Sequence, residues 1–216
     1  MKKSFTLAEV LITLGIIGIV AAMTFPALLK HHRKTVIETS LKKFYTIMNQ
    51  AILQSTIKNG ETKYWEFPAE NSPESTKVFW DRYFKDYVKI LRLGVTDFNG
   101  QTRFTIYYQD GSVVRINWYG HDWYYCLGEK YHDDYDEFNG SKCFTFAFYP
   151  TYKENNDYVK SLYAGKGIEP YVSTIYKDED GNSHNTTLAD LYKTGRYAKI
   201  IQMNGWTIPK DYPVKY

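Results

Sequence analysis

Catalytic machinery is what this chain most conspicuously lacks. Of its five histidines, His121, His132 and His184 are scattered, without an H-E-x-x-H pair or metal-ligand spacing. No G-x-S-x-G elbow, phosphate-cradling glycine loop or dinucleotide glycine pattern occurs, so nothing asks for an enzyme. Charge of one sign is also missing: a net +3 over 216 residues argues against a nucleic-acid surface. There is no internal repeat and no low-complexity tract. Cysteine is nearly absent, with Cys126 and Cys143 alone, and their spacing fits no zinc pattern.

What the sequence has instead is one long apolar run. From Val10 to Leu29 no side chain carries a charge, which is enough length to span a hydrocarbon core as a helix. Glu9, a lone carboxylate at the leading end, is the oddity. Charge at the centre of a membrane helix costs roughly 2.5–3.5 kcal/mol; near the end the cost is smaller but still needs a reason. A secretory signal peptide would have a shorter apolar core and a small-x-small cut site, and Ala21-Ala22-Met23-Thr24-Phe25-Pro26 offers no clean one. A plain anchor explains the length and leaves Glu9 unmotivated.

The segment Lys3-Ser4-Phe5-Thr6-Leu7-Ala8-Glu9-Val10-Leu11 resembles the signal of type IV pilins and type II secretion pseudopilins. That signal is a short basic leader, a small residue, Phe, and Glu fifth in the mature chain; Ser4 stands where Gly is usual. The resemblance implies cleavage between Ser4 and Phe5 by a prepilin peptidase and N-methylation of Phe5. It also implies other pilin or pseudopilin subunits and an inner-membrane assembly platform as partners, with Glu9 pairing with a neighbour's new amino terminus. Gly15, Gly18 and Pro26 are then points of helix flexibility during assembly; the plainer reading is that membrane helices tolerate them. The implied location is the bacterial inner membrane, with the head outside the cytoplasm and later in a periplasmic or surface filament.

Lys30-His31-His32-Arg33-Lys34 reads as a collar at lipid headgroups. Beyond it Ile37, Leu41, Phe44, Met48 and Ile52 make one apolar stripe, predicting that the helix continues to about Lys58 before Asn59-Gly60, with Asn49 and the lysines on other faces. The expected organisation is a leader over 1–4, a membrane and assembly helix over 5–29, its amphipathic extension over 30–59 and a head over 60–216. Residues 61–72 read as a loop, and Ser72-Pro73-Glu74 starts a second helix whose aromatic spacing runs through Leu91 to a stop at Gly94.

Strand patterns follow over 103–108 and 112–118, flanking the hairpin signal Asp110-Gly111. Further strands are expected over 142–149 and 171–176, and a short helix over 196–203. Segregated helices and strands give α+β with an antiparallel sheet. Twenty-one tyrosines read first as core, and second as a glycan- or protein-binding face.

If the head lies outside the cytoplasm, Cys126 and Cys143 are expected to form a disulfide closing a loop of roughly 15–20 residues, worth about 3 kcal/mol. Between them Asp133, Asp134, Asp136 and Glu137 form an acidic run. It reads first as a solvated loop and second as a Ca²⁺ site, off the one-three-five spacing by a residue; no other cofactor is expected. Two rival functions remain: a tethered adhesin or ligand-binding protein that never assembles, and a tethered enzyme.

Overall fold

The computed structural model describes residues 6–98, 100–130, 138–151, 157–172, 176–177, 183–184 and 186–213. The chain divides between Val36 and Ile37 into two compact units. Helix α1 (Leu7–Asn59) supplies the described part of the first and the opening of the second. In the first unit every described residue through Arg33 is exposed.

The second unit is an α+β head in which a long helix lies on a six-stranded antiparallel sheet. Its strands are β1 (Arg92–Phe98), β2 (Gln101–Tyr107), β3 (Val113–Asn117), β4 (Asp122–Cys126), β5 (Cys143–Ala147) and β6 (Glu169–Pro170). They pair in chain order, each with the next. The apolar stripe of α1 packs as its spacing requires: Ile37, Leu41, Phe44, Met48 and Ile52 are all buried. Phe44 stacks on Tyr125 of β4 at 4.7 Å and meets Phe146 of β5 edge-on at 4.9 Å. Helix α2 (Pro73–Tyr83) covers the same face. Trp80, fully buried, lies against Phe104 and Trp123, and Phe84 against Trp123 and Phe148. Aromatic rings thus fill a core where aliphatic side chains are more usual.

The structure corrects three expectations and adds elements that were not foreseen. Helix α2 starts as expected, with the Ser72 hydroxyl accepting from Ser75 N–H at 3.2 Å, but it ends at Tyr83. Leu91 N–H already donates to the Tyr107 carbonyl, and Gly94 lies inside β1 opposite Thr105 rather than stopping a helix. A Cβ on Gly94 would stand 3.1 Å from the Tyr107 ring, on which the Arg92 guanidinium also rests, so crowding calls for glycine there. Strand β4 was not foreseen. Of the strand expected over 171–176, residues 173–175 lie outside the described residues; Tyr171 N–H donates to Thr145 O just after β6 pairs Glu169 and Pro170 with β5, and Tyr176 belongs to β7 (Tyr176–Lys177), which pairs with Ser183–His184 (β8). Short helices α3 (Asp157–Tyr163) and α4 (Leu188–Lys193) precede the expected one, α5 (Tyr197–Met203).

Candidate functional site

At the start of α1 the sequence T-L-A-E folds into a capping box. Thr6 Oγ1 accepts from Glu9 N–H at 3.2 Å, and Glu9 Oε2 accepts from Thr6 N–H at 2.8 Å and from its hydroxyl at 2.9 Å. The box therefore satisfies two backbone donors that the helix start leaves open, Thr6 N–H through the carboxylate and Glu9 N–H through the hydroxyl. Ser4 and Phe5 lie outside the described residues. From Leu7 to Leu29 the apolar side chains are uncovered: Leu11, Leu14, Ile17, Phe25 and Leu28 are each about 60 % exposed. Among the described residues one helix, α1, is long and apolar enough to cross a membrane. A Cβ on Gly15 or Gly18 would meet nothing within 4 Å, and the helix continues through Pro26.

Within the head, α1 is fixed by polar contacts on faces outside the apolar stripe. Asn49 Nδ2 donates to the Ile168 carbonyl at 2.9 Å. Tyr45 donates to Glu169 Oε1 at 3.0 Å, while Gln202 of α5 donates to the other oxygen at 2.9 Å. Burial and the Glu169 carboxylate push the Tyr45 hydroxyl up to about 12. The Ile208 N–H donates to Glu38 Oε1 at 2.7 Å, tying the C-terminal segment to the same helix.

On the opposite sheet face Cys126 and Cys143 are registered across β4 and β5 and joined in a disulfide, buried with Tyr107 and Val113. Nearby, Asp122, Tyr124, Phe138, Tyr171 and Arg196 border a cavity of about 380 Å³. The Arg196 guanidinium lies over the Tyr171 ring at 4.5 Å. Burial pushes the Asp122 carboxyl up to about 6, against the pull of the Tyr149 hydroxyl that donates to it at 3.0 Å. His121 is clasped between Phe67 and Tyr149, 4.4 Å from each ring, and its burial lowers its basicity.

The turn from β3 to β4 is unusual. Trp118, Tyr119 and Gly120 all have positive φ, 47°, 55° and 83°. His121 N–H closes it onto the Trp118 carbonyl at 3.1 Å. Gly120 is required twice over, by its φ and because a Cβ would stand 2.9 Å from Pro68. For Trp118 and Tyr119 the left-handed backbone costs roughly 1–2 kcal/mol each. Trp206 shares that conformation, at φ 65°, but its ring packs on Tyr45 at 4.8 Å. Trp118 and Tyr119 are 57 % and 42 % exposed.

The acidic residues Asp133, Asp134, Asp136 and Glu137 lie outside the described residues. Among the described residues no three His, Cys, Asp or Glu side chains converge as a metal site. The sequence reading missed the Thr6–Glu9 capping box, whose T-x-x-E signal was in plain view, and the Tyr45, Asn49 and Glu38 contacts, whose partners are far along the chain.

A long N-terminal apolar helix packed on a six-stranded antiparallel sheet is a pilin-like arrangement. Residues 1–25 match the prokaryotic N-terminal methylation motif, which marks a prepilin-type signal. Residues 27–216 match the model of a family of unknown function, DUF6613, and the chain belongs to that family. The two matches meet at Pro26. No curated protein and no solved structure matches the chain.

Proposed function

We propose that this protein is a pilin or pseudopilin subunit of a type IV pilus-like or type II secretion filament. It is made as a single-pass inner-membrane precursor with its head outside the cytoplasm. A prepilin peptidase cuts between Ser4 and Phe5 and methylates Phe5. The assembly platform then moves the subunit from lipid into a filament of like helices, periplasmic or on the cell surface. The observation that carries this reading is the uncovered apolar surface of Leu7–Leu29, continuous along one helix with the segment that forms the head's core. In lipid or in a bundle of neighbouring helices that surface is covered; in water it would aggregate.

Cutting the leader removes Lys2 and Lys3 and leaves an amine on Phe5, while the Thr6 amide that bonds Glu9 remains intact. In the filament's apolar interior the Glu9 carboxylate pairs with that amine on a neighbour, offsetting part of the cost of burying both charges.

N-terminal mass spectrometry of membrane and sheared-surface fractions tests the reading. A methylated Phe5 at the mature terminus in both fractions is expected. An N-terminus still at Met1, with the protein absent from sheared material, would instead mean a tethered protein that does not assemble.

A further inference from the structure

The turn between β3 and β4 presents two aromatic rings to solvent from a backbone that disfavours both residues. Its central pair, Tyr119-Gly120, has the dihedral signs of a type I′ hairpin turn, for which Asn-Gly is the preferred sequence. A chain that needed only to close this hairpin would be better served by asparagine at 119. Trp206, left-handed too, is repaid by packing on Tyr45, whereas the Trp118 ring meets Tyr119 edge-on at 6.1 Å and stays largely in water. Strain held at an exposed position points to a binding role for the side chains that carry it.

The neighbourhood of the rings indicates what they bind. Asn71 holds the turn, its Oδ1 accepting from Tyr119 N–H at 3.2 Å and its Nδ2 donating to Asn117 Oδ1 at 3.4 Å. On its other side Asn71 borders a cavity of about 340 Å³ with Asp97, Gly100, Gln101, Thr102 and Arg103, where one carboxylate and one guanidinium leave no net charge. Flat rings beside the Asn71 and Asn117 amides match a pyranose. Its C–H face lies on the aromatic surface, and its hydroxyls exchange hydrogen bonds with the planar polar side chains. Asn117 Nδ2 donates to the Tyr124 hydroxyl at 3.2 Å, while Asn71 is exposed, so an apolar partner laid over the turn would strip water from the Asn71 amide without replacing its hydrogen bonds, a costly burial.

We propose that Trp118 and Tyr119, with Asn71 and Asn117, form a binding platform for a neutral oligosaccharide. The platform belongs to the head and stands whether or not the helix assembles into a filament.

The test uses the full chain in detergent micelles. It is titrated by calorimetry with neutral oligosaccharides of glucose, galactose, mannose and N-acetylglucosamine in α and β linkage. At least one is expected to bind with a Kd below about 1 mM. Trp118→Asn and Tyr119→Asn should each weaken that binding by about tenfold or more. Both should leave the melting temperature of the head unchanged or raise it by a few degrees, because they relieve the strained backbone. Trp118→Phe keeps a ring and should retain part of the affinity. Failure of every sugar at millimolar concentration overturns the proposal, as does undiminished binding by both asparagine variants. A fall in melting temperature in both would show that the rings serve the fold, and it too overturns the proposal. Capture of phosphatidylglycerol vesicles through Trp118, with no sugar bound, would assign the tip to lipid instead.

Discussion

Asn49 crosses from α1 to the Ile168 carbonyl, 2.9 Å away, directly over Gly167. A Cβ on Gly167 would come within 1.8 Å of Asn49 Oδ1 and 3.4 Å of Ile52 Cδ1. Absence of a side chain at Gly167 therefore leaves room for the Asn49 amide in the position where it bonds Ile168.

Gly167→Ala should accordingly destabilise the head by about 1–3 kcal/mol, the usual range for overpacking a filled contact. Asn49→Ala alone should cost about 1 kcal/mol through its lost hydrogen bonds. The two together should cost less than their sum, because truncating Asn49 opens room for the new methyl group. Urea denaturation of the four proteins measures the coupling, and strict additivity would show that the contact is not what excludes a side chain.

Reducing the Cys126–Cys143 bridge, which spans a sequence separation of 17, should lower stability by about 3 kcal/mol. The double Cys→Ser variant adds the burial of two hydroxyls beside Tyr107 and Val113 and should be worse than reduction alone. Thermal melts with and without reductant check both, and unreduced protein that takes up alkylating reagent at both cysteines would contradict the bridge.

Asp122 makes the head sensitive to pH in a definite direction. Its folded carboxyl, pushed up to about 6, holds a proton that the unfolded chain releases near 3.8. Its contribution is thus fully favourable below about pH 4 and is lost as pH rises through 6. Asp122→Asn should raise stability near pH 7.5 by on the order of 1–3 kcal/mol relative to its effect at pH 4, the attraction to Arg196 being already contained in the shift. His121 acts oppositely: its lowered basicity favours the fold above its unfolded range and weakens it on acidification. Melting curves of wild type and Asp122→Asn at the two pH values isolate the aspartate, and an equal shift at both would remove it as the cause.

How much of this was legible in the sequence depended on whether the cue was local. The stripe Ile37–Ile52 and the Asp110-Gly111 hairpin are periodic or adjacent signals, and both elements form. Strand β4 was invisible because Asp122-Trp123-Tyr124-Tyr125-Cys126 places aromatics on both faces, so no alternation shows. Gly94 was read as a helix stop because its real constraint, the Tyr107 ring with Arg92 upon it, lies on a neighbouring strand. Asn49 was read only as lying off the apolar stripe and Tyr45 drew no reading, since their partners Ile168 and Glu169 are more than a hundred residues away. In the candidate site the leader and Glu9 were legible as a motif. The strained turn at Trp118 was not, because backbone conformation at non-glycine residues leaves no mark in the sequence.

Glu9 has two physical roles on offer, and variants separate them. In the lone chain it caps α1 through Thr6; in the proposed filament it would pair with a neighbour's amine. Thr6→Ala removes the hydroxyl half of the capping box and should cost the helix start about 1 kcal/mol while leaving the carboxylate in place. Glu9→Gln keeps an acceptor for the Thr6 amide and removes the charge. If capping were the whole role, Thr6→Ala would harm filament incorporation at least as much as Glu9→Gln. With the inter-subunit pair as the dominant role, Glu9→Gln should insert into the membrane normally and yet be strongly depleted from sheared filaments, because it leaves a buried amine unpaired. Thr6→Ala should then incorporate close to wild type. Quantifying each variant in membrane and sheared fractions decides between the roles, and equal incorporation of wild type and Glu9→Gln would leave the carboxylate with nothing beyond its cap.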